Sequence, residues 1–324
     1  MQEFLLEIKD LSVRFFTNQG IVEALESVNI GIGRGEILGL VGESGCGKSV
    51  LARSILRLIH DPPGKIIAGQ VLFKGEDILK ASKKRLQQIR GNNISMIFQE
   101  PMTSLNPVFT VGNQMREVVQ LHQRLSSEKA QETCVRMLEQ VKIPDPEKIL
   151  DRYPHELSGG MRQRVMIAME LSCQPDLLIA DEPTTALDVT IQAQVLTVLS
   201  DLTRRNRTSL LFITHDLGVV AQLCDRVAVM YAGEIVEEAP VLDIFSSAQH
   251  PYTQGLLHAI PLLHEERETL SVIPGIVPGL IKPPGGCRFH PRCLKRFHPC
   301  DRGIPKLSQV NSGHHVACHL YAEG

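Results

Sequence analysis

The sequence predicts an α/β fold: a largely parallel sheet core with a β-rich N-terminal part, an inserted helical subdomain and a small metal-bound C-terminal extension. Three observations lead there. Short apolar runs alternate with stretches of helical spacing along most of the chain, which is the pattern of a parallel α/β core. From about residue 113 to 173 the helical spacing runs on without strands, within an expected helical subdomain of about 100–173. After about residue 250 the periodicity weakens, and four of the eight cysteines gather there.

The elements follow in order. FLLEIK and VNIGI alternate, and EILGLV is a short apolar run ending in glycine-rich sequence, so the first 75 residues read mostly as strands. KSVLARSILRLI has helical spacing, with Leu51, Ile55, Leu58 and Ile59 near one face. ISMIF (94–98) reads as a buried strand. VGNQMREVVQLH and SEKAQETCVRMLEQV carry three-to-four spacing, and DPEKILDRYPHE breaks the run with prolines. Then come LLIA (177–180), a helix near 189–204, LLFIT (210–214), a short helix and VAVMY (227–231). HPYTQGLLHAI is a further helix, and IPGIVPGLIKPPGG reads as extended linker. The expected domains are 1–250, with the helical subdomain inside it, and 251–324.

Composition bounds the function. The chain has 324 residues, 43% of them hydrophobic, enough for a large core. Its 34 basic and 36 acidic residues leave a net charge of −2, which excludes a global basic field for nucleic acid. No stretch approaches the length of a membrane-spanning helix, and MQEFLLEIKD lacks the pattern of a secretion signal. A cytoplasmic protein is expected, in which the cysteines are not a disulfide framework.

Three motifs carry chemistry. Gly42-Glu43-Ser44-Gly45-Cys46-Gly47-Lys48-Ser49 follows a strand and opens a helix, as the phosphate-binding loop pattern G-x-x-x-x-G-K-[ST] requires. Its amides and the helix N-terminus suit phosphate oxygens, Lys48 can reach the β- and γ-phosphates, and Ser49 can ligate Mg²⁺. Asp176 to Glu182 is an apolar strand ending in two carboxylates. Asp181 suits Mg²⁺, and Glu182 suits orientation or deprotonation of the attacking water. Leu157-Ser158-Gly159-Gly160-Met161-Arg162-Gln163-Arg164 puts a serine and two glycines at a helix start, either an ordinary cap or a second anion site.

The order of these motifs resembles ABC ATPases, and the resemblance covers about residues 4–250. It implies a P-loop ABC ATPase core whose LSGG turn serves the γ-phosphate held by a partner subunit, through Ser158 and Gly160 in trans. It implies a nucleotide site of Phe15, Gly42, Glu43, Ser44, Gly45, Cys46, Gly47, Lys48, Ser49 and Val50. Phe15 is preferred over Phe16 as the ring stacked on adenine. Catalysis falls to Glu182, His215, Gln99 and Lys48, and Mg²⁺ to Ser49, Gln99 and Asp181. Gln99 matches the Q-loop glutamine, EPMTSLNP the stretch that faces membrane subunits, Thr185-Ala186-Leu187-Asp188 the D-loop, and His215 the switch histidine. Met161 replaces a common glutamine, without loss of a catalytic group.

The end of the chain narrows the resemblance. His250-Pro251-Tyr252-Thr253, then GLL and PPGGC, resemble the extension of dipeptide and oligopeptide permease ATPases of the D type, part of which nickel-import ATPases share. Cys287, Cys293, Cys300 and Cys318 are separated by five, six and seventeen residues. Four thiolates suit zinc or an iron–sulfur cluster, and zinc ribbons prefer closer pairs. The expectation is a [4Fe-4S] cluster, with Zn²⁺ as the alternative, stapling a tail that folds poorly by itself.

The function implied is the ATP-hydrolysing subunit of an ABC importer of dipeptides or oligopeptides, peripheral on the cytoplasmic face of the cell membrane. The alternatives are a nickel or other small-solute importer and a soluble ABC ATPase. Implied partners are a second ATPase subunit (a sister subunit or a second copy), two transmembrane permease subunits and, indirectly, a peptide-binding protein; no nucleic acid is implied.

Overall fold

A computed structural model describes residues 4–99, 105–185, 187–259 and 273–321. They form two compact units that do not follow chain order. One comprises Gly33–Ile37 and Lys80–Ile213; the other comprises Phe4–Ile32, Leu38–Leu79 and the chain from Thr214 onward.

The second unit begins with β1 (Leu6–Thr17) and β2 (Gly20–Ile32), an antiparallel hairpin turning tightly between Thr17 and Gly20. The Thr17 hydroxyl donates to the Gly20 carbonyl at 2.7 Å across this turn. β4 (Gly64–Phe73) pairs antiparallel with β1, and β5 (Glu76–Asp77) with β4. β3 (Ile37–Val41) is buried along its whole length, as a strand covered on both faces must be, and runs parallel to β9 (Arg226–Tyr231). β10 (Glu234–Pro240) returns antiparallel to β9.

The tail then adds two strands to the edge at β10. β12 (His314–Val316) pairs with β10, and β11 (Ser308–Asn311) with β12. Gly313, at φ 72°, makes the turn between them. These strands have four and three residues, too few for alternation to be legible in the sequence.

In the first unit, β6 (Ile94–Ile97), β7 (Leu177–Asp181) and β8 (Ser209–Ile213) are parallel and buried throughout. Its helices start where the sequence places capping side chains. Thr110 caps α3 (Val111–Gln123), Ser126 caps α4 (Ser127–Gln140), Ser158 caps α6 (Gly159–Leu171), and Asp188 caps α7 (Val189–Asn206). α2 (Lys83–Ile89) precedes them and the short α5 (Pro146–Leu150) lies among them. Between β6 and β7 the described residues thus form the helices α3 to α6. In the second unit the predicted helix after the phosphate-binding loop is shorter than its apolar spacing implied: α1 (Lys48–Ile55) ends before Arg57, which turns left-handed at φ 50°. The predicted helix at 250–260 is α10 (Pro251–His258), which follows α8 (Leu217–Leu223) and α9 (Val241–Ser247). Among the described residues no helix is long and apolar enough to cross a membrane.

The tail packs against the rest of its unit. Tyr231, Tyr252 and Phe289 form a cluster with ring centroids 4.6 to 5.4 Å apart. Glu237, fully buried, accepts hydrogen bonds from the Gln249 and His250 amides at 2.6 and 3.0 Å, and its carboxylate lies 2.8 Å from His314 Nε2. Arg288 is buried too, within 2.9 Å of the Glu23 carboxylate and 3.1 Å of Glu234. Buried charges are tolerated when paired and hydrogen-bonded in this way.

Candidate functional site

The phosphate-binding loop leaves β3 at Val41 and enters α1 at Lys48. Gly42 has φ 154°, and a Cβ there would lie 2.1 Å from the Met230 carbonyl oxygen, so only glycine fits. Gly47, at φ 110°, would push a Cβ to 2.8 Å from the Ala24 carbonyl oxygen. The loop is pinned between the strand end and the β2 backbone. Lys48 is buried and reaches back across the loop, donating to the Gly42 and Glu43 carbonyls at 2.7 and 3.1 Å. Cys46 is fully buried, and burial raises its thiol pKa despite the adjacent ammonium of Lys48. Ser44 and Gly45 form the exposed crest, with open space where a Gly45 Cβ would point.

In the same unit, the Thr214 amide donates to the Leu40 carbonyl at 3.3 Å, which brings the exposed His215 to the end of β3 where the loop begins. The Asp216 carboxylate then caps α8 by accepting the Gly218 and Val219 amides at 2.8 and 3.2 Å. Phe15 is half-buried: its ring lies over Gly64, where an added Cβ would come within 2.7 Å of it. Phe16, on the other face of β1, is 50% exposed.

In the other unit, β7 ends in Asp181, 1% exposed, and Glu182. Glu182 takes φ 48°, a strained setting for a non-glycine residue and one that recurs at functional sites. Its amide donates to the Ile213 carbonyl at 3.0 Å, and its carboxylate accepts from the Gln99 amide at 3.1 Å and the Thr185 hydroxyl at 3.0 Å. Gln99 and Glu182, 83 residues apart, are thus brought together. Thr185 was expected only as part of the D-loop; its hydroxyl orients Glu182 as well. Ala186, and residues 100–104 of the EPMTSLNP stretch, lie outside the described residues.

The LSGG turn opens α6. Ser158 is exposed, and its hydroxyl accepts the Met161 amide at 3.3 Å, an ordinary N-cap. Gly160 faces α7: a Cβ there would meet Ile191 Cγ2 at 2.6 Å. A Cβ on Gly159 would meet only Leu187, at an ordinary 3.6 Å.

Cys287, Cys293, Cys300 and Cys318 line one small cavity together with His290, His319 and Phe297. Gly286, at φ 67°, turns the chain so that the Cys287 amide donates to the Cys300 carbonyl at 2.9 Å. Burial raises the Cys287 thiol to about 12 and pushes those of Cys293 and Cys318 upward. Among the described residues, however, no group of three or more His, Cys, Asp or Glu side chains is placed to hold a metal ion. The expected metal-bound extension and its [4Fe-4S] cluster therefore find no support in ligand geometry, and neither does the single-ion Zn²⁺ alternative. The fit extends only to four thiols around one cavity.

Sequence reasoning missed Arg292 and assigned Tyr252 no contact. Arg292 lies in the turn between Cys287 and Cys293 and grips the Glu43 carboxylate with two nitrogens, at 2.6 and 3.1 Å. The Tyr252 hydroxyl accepts the Glu43 amide at 2.9 Å. A buried arginine among the cysteines leaves no periodic trace by which it could have been found.

The ABC transporter family matches residues 25–185, and the oligopeptide/dipeptide transporter C-terminal region matches 236–300. A probable peptide ABC transporter ATP-binding protein of Sinorhizobium fredii, y4tR, is 52% identical over 98% of this chain and 95% of its own length. The oligopeptide transport ATP-binding protein OppD of Bacillus subtilis is 51% identical over 98% of this chain and 88% of its own. Among solved structures, the dimeric post-hydrolysis state of the ATP-binding cassette MJ0796 bound to ADP and Pi superposes with a TM-score of 0.65 and 26% identity. It covers 73% of this chain and 98% of that one. The chain belongs to the ATP-binding proteins of ABC transporters. It is an ABC ATPase carrying the C-terminal region of the oligopeptide/dipeptide branch.

Proposed function

We propose that the chain powers uptake of dipeptides or oligopeptides from the cytoplasmic face of the cell membrane, as one half of an ATP-sandwiching dimer joined to two permease subunits. A peptide-binding protein would deliver the cargo to those permeases. The observation that carries this reading is the joint presence in one chain of a preformed phosphate-binding loop with a buried lysine and the 236–300 oligopeptide/dipeptide region. In functional terms we divide the chain into a nucleotide-binding domain, 1–250, whose helical subdomain spans about 100–173, and an extension, 251–324.

In this reading Phe15 stacks on adenine, and Gly42 to Val50 wrap the phosphates. Lys48 turns from the loop carbonyls to the β- and γ-phosphate oxygens, where its charge offsets the charge developing in the transition state. Ser49, Asp181 and Gln99 would hold Mg²⁺, which would supply positive charge to offset that developing on the phosphates. Glu182, aimed by Gln99 and Thr185, positions the attacking water and takes its proton. His215 contacts the γ-phosphate, and Ser158 and Gly160 of a partner copy or sister subunit close over it. Cys287, Cys293, Cys300 and Cys318 would hold a [4Fe-4S] cluster, which would cross-link the extension. Acid-labile sulfide and iron in anaerobically purified protein are its test, and their absence would remove it.

The reading is tested by purifying the chain from its native membrane. Two hydrophobic permease subunits should come with it, and ATP turnover in proteoliposomes should rise with peptide-loaded binding protein. Copurification with nucleic acid instead, or turnover indifferent to peptide, would overturn it.

A further inference from the structure

We infer that Arg292 and Tyr252 of the C-terminal extension are positioning residues for the nucleotide site, fixing the entry limb of the phosphate-binding loop through Glu43. The inference rests on the reading of that loop as an ATP site. Glu43 is the second residue of the loop, and each of its polar groups is held. Its carbonyl accepts from Lys48 Nζ at 3.1 Å and from the Cys46 amide at 3.3 Å, both within the loop. Its amide donates to the Tyr252 hydroxyl, and its carboxylate takes two nitrogens of Arg292. These last two partners lie more than 200 residues away in sequence.

The Arg292 bridge differs from a surface ion pair, in which two mobile side chains gain little by meeting. The Arg292 side chain is only 5% exposed. Its Nε donates to the Pro274 carbonyl at 2.9 Å, and its guanidinium lies 5.8 Å from the centre of the Tyr231 ring. Tyr252 is fully buried against the same ring. Both groups are therefore immobilised before they meet Glu43, and a planar guanidinium so held fixes a carboxylate in direction as well as distance.

The consequence appears when nucleotide binds. Without nucleotide, Lys48 ties the Gly42 and Glu43 carbonyls together. To reach phosphate it must release them, and the loop then needs another restraint to keep its amides convergent. The exit limb keeps the bond from the Gly233 amide to the Cys46 carbonyl at 2.8 Å. The crest at Ser44 and Gly45 is exposed, so the entry limb depends on partners of its own. Arg292 and Tyr252 supply that restraint, so the extension becomes part of the ATP site without touching ATP.

The test is ATP titration and steady-state hydrolysis on the full-length chain, with thermal melting to confirm folding. Arg292→Met should raise Kd and KM for ATP about tenfold, the scale of one charge-assisted hydrogen-bonded pair, with kcat within about twofold. Arg292→Lys, which keeps the charge but loses the fork, should fall between Met and wild type. Tyr252→Phe should weaken ATP about threefold by leaving the Glu43 amide without its acceptor. Adding Arg292→Met to Glu43→Gln should cost little beyond Glu43→Gln alone. Folded Arg292→Met and Arg292→Lys that bind ATP like wild type, or strictly additive effects of Arg292→Met and Glu43→Gln, would overturn the inference. Lys48→Ala separates it from the underlying reading. If wild type binds ATP and Lys48→Ala does not, an unaffected Arg292→Met sinks only the positioning role. If wild type does not bind ATP at all, both fall.

Discussion

The phosphate-binding loop and the LSGG turn are built from the same materials, small residues leading into a helix N-terminus, yet their surroundings are opposite. Around the loop the chain closes on every side but the crest. Gly42 abuts the Met230 carbonyl, Gly47 abuts β2, Lys48 is buried, and Glu43 is gripped by two groups of the extension. The LSGG turn is finished only at its back, where Gly160 packs against Ile191. Its front carries the exposed Ser158, and at the neighbouring start of α7 Val189 is 83% exposed. One turn is completed by its own chain. The other is shaped on the side that meets its own chain and open on the side that would meet a second, which is what a shared site requires of each subunit.

The largest expected effect tests whether the pairing at Glu182 is chemical rather than architectural. Glu182→Gln keeps the size of the side chain and its bonds to Gln99 and Thr185 within reach, but removes the carboxylate proposed as base. ATP hydrolysis should fall by a factor of about 10² or more while ATP affinity holds, and a nucleotide-bound dimer should accumulate. Turnover near the wild-type rate would show that another group activates water.

Next in size are two glycines that should part company. Gly42→Ala forces a Cβ to 2.1 Å from a backbone oxygen that cannot swing away. Strain of about 3 kcal/mol is expected there, enough to abolish useful ATP binding by the loop. Gly159→Ala meets only ordinary contact and sits in the first turn of α6. Alanine there should leave stability equal or up to about 1 kcal/mol higher. If the open face of the turn closes on the partner's nucleotide, this folded variant should still bind ATP as a monomer and fail to dimerise. Dimerisation of Gly159→Ala at wild-type ATP concentration dependence would erase the contrast between the two turns.

Why one turn was legible in the sequence and the other only by resemblance follows from the same contrast. A loop whose shape is enforced by its own backbone must spell that shape in residue types, so Gly42, Gly47 and Lys48 announce themselves. Ser158 and its glycines read equally well as a plain helix cap, and within the chain a cap is what they make. The buried strands were legible because both faces demand apolar residues. The strands β11 and β12 were not, since pairing onto an existing edge needs only a few residues and a turn. Arg292, Arg288 and the Glu237 network were invisible for another reason: buried ion pairs join residues far apart in sequence and impose no spacing on either.

The smallest effect expected concerns pH, and it would tell the two turns apart a second way. His250 is fully buried and caps α10, its Nδ1 accepting the Tyr252 amide at 3.1 Å while its own amide binds Glu237. Burial lowers its pKa from 6.5 to about 3, so the folded chain keeps it neutral while the unfolded chain protonates it near its ordinary value. The stability it contributes is therefore complete above about pH 6.5 and is lost as pH falls from there towards 3. Between pH 7 and 5.5 that loss amounts to about 1 kcal/mol. Urea midpoints at those two pH values should differ less in His250→Asn, which retains a capping acceptor but does not titrate. Because Tyr252 follows directly on this cap and holds Glu43, ATP affinity should weaken with acidity in wild type more than in His250→Asn. At the LSGG turn the capping group is the Ser158 hydroxyl rather than an imidazole, so the affinity of a preformed dimer interface should not change with acidity through its cap. Identical pH dependence in the variant and the wild type would mean that the cap stays intact when protonated, and that the loop is insulated from it.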